Sequence, residues 1–236
     1  MSAPASFLEE LENEELELSA RQLELLGLFV AALLEANRCF NLTAIREAEE
    51  VWRRHVLESL ALGRFVRGAG RVADIGSGGG LPGIPLAILL PGTRFALIEA
   101  TGKKARFLER TAAALRMGNV RVHNGRSETL ARCGELRGRF DVVVARAVGS
   151  LAELVELALP LLAPDGRLLA VKGRSVQREV DEAAGALEQV GGGMVGVHPL
   201  VPRSGGEGSV AIVRKLRATP ERYPRLPGVP GKKPLK

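Results

Sequence analysis

Residues 72–85 read VADIGSGGGLPGIP, an apolar run followed by five glycines within eight positions. Glycine accepts positive φ angles and lets the backbone approach a ligand with no Cβ in the way. Pro82 and Pro85 stand where the first turn of a helix should be, and proline is tolerated there because those N–H groups have no helical partner. The stretch therefore predicts a strand, a ligand-binding loop and a helix.

Short apolar segments alternate with helical stretches from Arg71 onward. The segments are RVADI, TRFALIE, NVRVH, FDVVVA and GRLLAVK. This alternation predicts a parallel sheet with helices on both faces. Two further segments, MVGVHPLV and GSVAIVRKL, lie close together in the sequence and predict an antiparallel hairpin at the sheet edge. The predicted fold is α/β, a Rossmann-like seven-stranded and mostly parallel sheet with this edge hairpin.

Helical patterns precede the sheet. Ser19 and Gln22 form a capping-box pattern, and apolar residues recur at helical spacing as far as Asn37. A second helix is predicted over Ala48 to Phe65. We expect three regions: a helical extension packed on the core at 1–66, the core itself at 67–216, and a basic, Pro/Gly-rich, extended tail at 217–236.

Composition narrows the class of protein. The 236 residues are 46% hydrophobic with a net charge of +6, which favours one main domain and a polyanionic partner. The acidic start and the lack of a long apolar run predict a cytoplasmic protein without a membrane span. Cys39 and Cys133 have no metal-ligand spacing, so we expect neither a disulfide framework nor a bound metal.

Two ligands fit the glycine loop. Gly78, Gly80 and Gly83 match the dinucleotide pattern G-x-G-x-x-G, and Glu99 ends the next strand where a ribose-binding acid belongs. Asp74 and Gly76 extend the pattern to D-x-G-x-G-x-G. An acid before the loop suits the positive charge of S-adenosylmethionine better than a pyrophosphate. The edge hairpin also fits class I methyltransferases that depend on S-adenosylmethionine.

The fourth strand indicates the chemistry. In such a methyltransferase its tip meets the reacting atom, and here Phe140 to Ala145 lead to Arg146. Enzymes that methylate exocyclic amines of bases typically carry an N-P-P-[YF] motif there, and this sequence lacks it. Enzymes that methylate carbon-5 of pyrimidines need a nucleophilic cysteine, and neither cysteine falls at the expected strand tip. Guanine N7 needs neither device, because its lone pair attacks without losing a proton. Arg146 is predicted to position guanine O6 or the methionine part of the cofactor.

Several segments together resemble the bacterial 16S ribosomal RNA guanine-N7 methyltransferase family, called RsmG or GidB. They are FNLTAI, RRHVLESL, VADIGSGGGLPGIPLAI, KARFLERTAAAL, FDVVVARAVGSL, GRLLAVKG and YPRLPGVPGKKPL. The resemblance covers nearly the whole chain from about Ser19. It implies methyl transfer from S-adenosylmethionine to N7 of a guanine in 16S ribosomal RNA, without a general base.

The resemblance also implies site residues. In the family, the first loop glycine and the leucine after the glycines contact the cofactor, and the acid at the position of Glu99 holds the ribose with its neighbours. An Ala-Glu pair frames the adenine, and this chain has Ser127 and Glu128 at that position. Arg146 corresponds to the arginine after the fourth strand. With Asp74 and Gly78 from the loop pattern, the predicted cofactor residues are Asp74, Gly76, Gly78, Leu81, Glu99, Ala100, Thr101, Ser127, Glu128 and Arg146. Arg146 is the predicted catalytic residue.

A rim of polar and basic residues is predicted to bind the phosphates of 16S ribosomal RNA or the small ribosomal subunit. Its members are Asn41, Arg54, His55, Lys172, Arg203, Arg222, Arg225, Lys232 and Lys233. His55 could equally be a helix residue hydrogen-bonded to the sheet domain. We expect a monomer. An NAD-dependent oxidoreductase and a non-catalytic RNA-binding protein on the same fold are the alternatives.

Overall fold

The computed structural model describes residues 1–201 and 208–236, and a seven-stranded sheet lies at its centre. The strands are β1 (Arg71–Ile75), β2 (Arg94–Glu99), β3 (Val120–Asn124), β4 (Phe140–Arg146), β5 (Leu162–Lys172), β6 (Gly192–Pro199) and β7 (Ser209–Lys215). Their order in the sheet is β3-β2-β1-β4-β5-β7-β6. The first five strands pair in parallel, and β7 runs antiparallel between β5 and β6. The predicted α/β fold and the edge hairpin are confirmed.

Helices cover both faces of this sheet. They are α1 (Ala5–Asn13), α2 (Ala20–Asn37), α3 (Ala48–Glu50), a π-helical segment (Val51–Val56), α4 (Leu57–Ala61), α5 (Gly63–Val66), α6 (Gly83–Leu89), α7 (Gly102–Ala114), α8 (Ser127–Leu130), α9 (Leu151–Ala158), α10 (Val176–Glu182), α11 (Ala184–Val190) and α12 (Val229–Lys232). None of the helices in the described part of the chain combines the length and the apolar character that crossing a bilayer requires.

Side chains alternate between the two faces of the sheet along each strand, and this divides the core in two. Val72 of β1 joins the apolar cluster under α1, α2, α4 and α6, whereas Ala73 and Ile75 join the cluster under α9 and α11. Successive side chains of a strand point to opposite faces, so a strand covered on both sides must be apolar throughout. Asp74 is the exception in β1, fully buried on the same face as Val72.

The N-terminal helices are fixed by caps and aromatic packing. The Ser19 side chain accepts from the Gln22 backbone N–H, and the Gln22 side chain accepts from the Ser19 N–H, which is the predicted capping box. Phe7 of α1 packs its ring against Trp52 at a centroid distance of 4.7 Å. The second predicted helix is present but not uniform, because residues 51–56 adopt π-helical hydrogen bonding. Such segments occur frequently at functional sites.

The C-terminal residues are not the extended tail expected from the sequence. They fold back on the face of the sheet that carries α9 and α11, where Tyr223 is 4% exposed and its hydroxyl donates to Gln189. Arg225 donates through Nε and Nη2 to both carboxylate oxygens of Glu156, at 2.6–3.1 Å. Glu156 is fully buried, so its charge needs this partner. An internal ion pair therefore holds the C-terminal residues on the core.

Arg225→Ala should destabilise the fold, because it leaves the Glu156 carboxylate buried without its cation. Since the Arg225 side chain is 28% exposed, we expect the lower end of the range for a broken buried pair, roughly 3 kcal/mol in the free energy of unfolding. Urea unfolding of the two proteins measures this change in the free energy of unfolding. Arg222→Ala is the matched control: that guanidinium is exposed and lies over the Tyr223 ring, so its loss should cost no more than about 0.5 kcal/mol. Equal effects of the two variants would contradict this role for the ion pair.

Candidate active site

The glycine loop after β1 is attached to the end of β2. Gly76 and Ser77 donate their backbone N–H groups to the Ile98 carbonyl at 2.9 and 3.1 Å, and Gly78 donates to Glu99 Oε2 at 2.9 Å. Gly76 has a φ of +69°, and a Cβ there would stand 2.5 Å from Val148 Cγ2. Its surface is exposed. The loop thus presents bare backbone at the carboxyl ends of the parallel strands, where open α/β sheets bind ligands.

Asp74 lies beneath this loop. Its Oδ2 accepts from the Gly83 N–H at 3.0 Å, at the start of α6, and a Cβ on Gly83 would stand 2.6 Å from the same oxygen. Burial raises the pKa of Asp74 to about 7, opposed chiefly by the hydrogen bond from the Gly83 N–H. The carboxyl group is fully buried. The sequence predicts a side chain that faces a bound cation. In the structure Oδ2 helps to shape the loop, and Oδ1 has no hydrogen-bond partner among the described residues.

Glu99 connects two loops at the tip of β2. Its Oε1 accepts from the Thr101 N–H at 2.7 Å while its Oε2 accepts from Gly78, and its own carbonyl accepts from the Asn124 side chain. Each carboxylate oxygen can still accept another hydrogen bond. Ala100 and Thr101 are exposed beside it. Glu99 is itself only 6% exposed beside these residues, and it keeps unused acceptor capacity, as a ribose-binding acid requires.

Ser127 and Glu128 begin α8, just after β3. The buried Oγ of Ser127 has no hydrogen-bond partner within residues 1–201 and 208–236. Glu128 is 6% exposed, and its Oε1 accepts from the Gly228 N–H at 2.8 Å. The C-terminal segment, which folds back onto the core, therefore contacts one of the predicted cofactor-binding residues.

Arg146 ends β4 and points toward the N-terminal helices. Its Nη1 lies 3.4 Å from Glu58 Oε2, and its Nη2 contacts His55 Nδ1. The Arg146 side chain is 15% exposed and that of Glu58 is 20% exposed. Burial lowers the pKa of Arg146, while the charges of Glu58 and Asp74 raise it. Among the residues predicted from the sequence, the structure brings Arg146 and His55 into direct contact.

A cavity of about 690 Å³ opens at this point, between the N-terminal helices and the tips of β4 and β5. Its charged lining residues are Glu10, Glu50, Arg53, Arg54, Glu58, Arg146, Lys172 and Arg174. Arg146 therefore faces a space that is large enough for a nucleobase and its sugar, at the tip of the strand that pairs with β1. Within the described ranges, no group of three or more His, Cys, Asp or Glu side chains is placed to hold a metal ion.

The predicted RNA-binding residues do not form one continuous rim. Arg54 and Lys172 line the cavity with His55, and Asn41 is exposed after α2. Lys172 already has internal partners, because its Nζ donates to the Gly149 carbonyl at 2.7 Å and pairs with Glu179 at 2.8 Å. Two of its three donors are therefore already used inside the protein.

The remaining members of the rim lie near the C-terminus, with one exception. Arg222, Lys232 and Lys233 are exposed there, whereas the guanidinium of Arg225 binds Glu156 and the Lys233 carbonyl. Arg203 lies outside the described residues.

Thr43 contacts His55 and Glu58 contacts Arg146, and neither residue is predicted from the sequence. Glu58 lies three residues after His55, a spacing that places both on one helix face and that could have indicated it. Thr43 lies in the FNLTAI segment, and its Oγ1 stands 2.6 Å from His55 Nε2. No local pattern connects that threonine to the sheet.

Comparisons with known proteins identify a family. The sequence model described as GidB, rRNA small subunit methyltransferase G, matches residues 22–198. The chain is 44% identical over 241 residues to the ribosomal RNA small subunit methyltransferase G of Rubrobacter xylanophilus, covering 100% of this chain and 92% of that protein. Identity to the protein of the same name from Macrococcus caseolyticus is 37% over 232 residues, 97% of each chain.

Solved structures resemble the fold. An O-methyltransferase from Bacillus cereus in complex with SAH aligns with a TM-score of 0.56 at 19% identity, over 79% of this chain and 90% of that one. The mitomycin 7-O-methyltransferase MmcR also gives 0.56, at 16% identity over 72% of this chain and 55% of that one. At these identities the likeness concerns the fold alone, and it is the Rossmann-like fold of class I methyltransferases.

Asp74→Asn should flatten the pH dependence of stability. The pKa of Asp74 is raised from 3.8 to about 7, so the folded state binds this proton more tightly than the unfolded state. The stabilisation is complete below pH ~4 and lost as the pH rises through ~7, and it amounts to roughly 4 kcal/mol. Asn lacks the titration but its side-chain oxygen can still accept from Gly83. Urea unfolding of both proteins at several pH values between about 4 and 8 should show the difference, and parallel profiles would contradict it.

Proposed function

The chain belongs to the GidB family of rRNA small subunit methyltransferase G proteins, and we propose that it transfers a methyl group to N7 of a guanine in 16S ribosomal RNA. It is a methyltransferase, and its methyl donor is S-adenosylmethionine. Family membership excludes the two alternatives, an NAD-dependent oxidoreductase and a non-catalytic RNA-binding protein. The observation that supports the choice of atom is Arg146, which faces the cavity from the tip of β4, the strand paired with β1.

The residues at this tip suit a nucleophile that needs no activation. S-adenosylmethionine supplies a methyl group on a positively charged sulfur. With the donor bound, the in-plane lone pair of guanine N7 could take the methyl group as its bond to sulfur breaks. The positive charge would then pass to the purine, and no proton would have to leave. Neither cysteine lines the cavity, which fits a reaction without a covalent enzyme intermediate. Positioning then provides most of the catalysis.

We assign the cofactor to the carboxyl edge of β1, β2, β3 and β4. Gly76, Gly78 and Leu81 would form its wall, with Glu99, Ala100 and Thr101 at the ribose. Ser127 and Glu128 would frame the adenine, where the unpartnered Ser127 Oγ offers a hydrogen bond. Asp74 would act indirectly, through the position of Gly83 and α6.

We assign the guanine to the cavity beside Arg146. Its free guanidinium N–H groups can donate to guanine O6, because a guanidinium has five donors and the contacts with His55 and Glu58 occupy two. The extension at 1–66 supplies one wall of the cavity, and the core at 67–216 supplies the other.

Exposed groups on two separate parts of the surface are proposed to bind RNA phosphates. Asn41 and Arg54 serve on the N-terminal side, and Arg222, Lys232 and Lys233 serve from the segment 217–236. The proposed setting is a monomer acting in the cytoplasm on the small ribosomal subunit or its RNA.

A chemical test identifies the atom. The protein is incubated with S-adenosylmethionine and small subunits that lack the modification, and the extracted RNA is treated with borohydride and then aniline. A guanine methylated at N7 is reduced by this treatment and its chain is cut, so we expect one new break in 16S RNA. Methyl transfer to RNA without a break would overturn the assignment to N7.

Arg146→Ala should abolish most of the transfer. Loss of the positioning group should lower the single-turnover rate by about 100-fold, the cost of misplacing reactants by about 1 Å. Arg146→Lys should not restore the rate, because an ammonium cannot span the two acceptors as a planar guanidinium does. The matched control is Arg214→Ala, an exposed arginine paired with Asp165, which should react at the wild-type rate. Near-normal transfer by Arg146→Ala would remove this residue from the site.

A further inference from the structure

Arg146 reaches the cavity on a long side chain that requires support. The chain turns sharply after β4, with Ala147 at a φ of +56°. An arginine side chain carries roughly 2 kcal/mol of rotamer entropy, which opposes one fixed orientation in a cavity of about 690 Å³. Preorganisation of a positioning group therefore needs partners on the opposite wall.

His55 and Glu58 are those partners. They are three residues apart, at the end of the π-helical segment and in α4, and both meet the guanidinium of Arg146. A guanidinium can only donate, so His55 Nδ1 must accept and the ring proton must lie on Nε2. Burial, followed by the charge of Arg146, lowers the pKa of His55 to about 3, so the ring is neutral at pH ~7.

Thr43 fixes the other side of the ring. Its Oγ1 lies 2.6 Å from His55 Nε2 and also accepts from the Ile45 N–H at 3.1 Å. With the ring proton on Nε2, His55 donates to this hydroxyl oxygen.

Asn37, at the end of α2, holds the loop that carries Thr43. Its Oδ1 accepts from the Leu42 and Thr43 N–H groups at 2.8 and 3.0 Å, and its Nδ2 donates to the Thr43 carbonyl at 2.9 Å. A continuous set of hydrogen bonds thus runs from α2 through the FNLTAI segment to the tip of β4.

We propose that Thr43, His55 and Glu58 are positioning residues for methyl transfer, in which a neutral His55 orients Arg146 by accepting a hydrogen bond from its guanidinium. This inference rests on the proposed role of Arg146. His55 thereby leaves the set of phosphate-binding residues, since both ring nitrogens have partners inside the protein. The FNLTAI segment gains a role as the support for that ring.

Substitutions at His55 separate its two nitrogens. In His55→Asn the amide oxygen takes the place of Nδ1 and can accept from Arg146, whereas in His55→Gln the amide lies near the Nε2 position and no acceptor replaces Nδ1. We expect His55→Ala and His55→Gln to lower the single-turnover rate at saturating cofactor and RNA by roughly 10- to 100-fold. His55→Asn should stay within about threefold of wild type, and Thr43→Val should fall between these limits.

The controls distinguish other roles. His198→Asn changes an exposed ring packed against Phe65 and should not change the rate. Thermal midpoints and the KM for small subunits are measured in parallel. A rise in KM with an unchanged saturating rate would make His55 an RNA ligand and overturn the inference, as would equal rates for the Ala, Gln and Asn variants. A wild-type protein that gives no cleavage at guanine would instead overturn the proposed function itself.

Discussion

The guanidinium of Arg146 is held between two acceptors, His55 Nδ1 and Glu58 Oε2, at the junction of the N-terminal helices and the sheet. A buried cation is tolerated only where its hydrogen bonds are satisfied. The helical segment at 48–66 must therefore pack with its His55 and Glu58 face on the tip of β4. That packing creates the cavity in which we place the guanine, so the substrate side of the site depends on this contact.

The cofactor side depends on two carboxylates that act from inside the protein. Glu99 ties the loop after β1 to the loop after β2, and Asp74 fixes the start of α6 beneath the glycines. Glu128 accepts a hydrogen bond from Gly228 of the C-terminal segment that folds back onto the core. Because Arg225 and Glu156 anchor that segment to the core, the C-terminus supports the predicted adenine end of the site as well as carrying exposed bases.

Local sequence patterns were sufficient for the strands, the glycine loop and the capping box, because each depends on neighbouring residues. β1 begins at Arg71 and ends at Ile75, as the RVADI segment indicates. Contacts between distant residues leave no such pattern: His55 and Arg146 are 91 positions apart, and Arg225 and Glu156 are 69 apart. The sequence therefore predicts an extended segment at 217–236, where the structure has one packed on the core. The π-helical hydrogen bonding at 51–56 also has no local signature in residue types.

The tautomer and charge of His55 test this account most directly. ¹⁵N NMR of the histidine rings, with His55 assigned by its absence from the His55→Asn spectrum, would follow each ring from about pH 5 to 8, across the ordinary histidine pKa. Thr43, Arg54, Glu58 and Arg146 surround this ring. The account predicts a His55 ring that stays neutral throughout, with the proton on Nε2 and a bare Nδ1. A ring that titrates near pH ~6.5, or one that carries its proton on Nδ1, would show that His55 does not accept from Arg146 and would contradict the account.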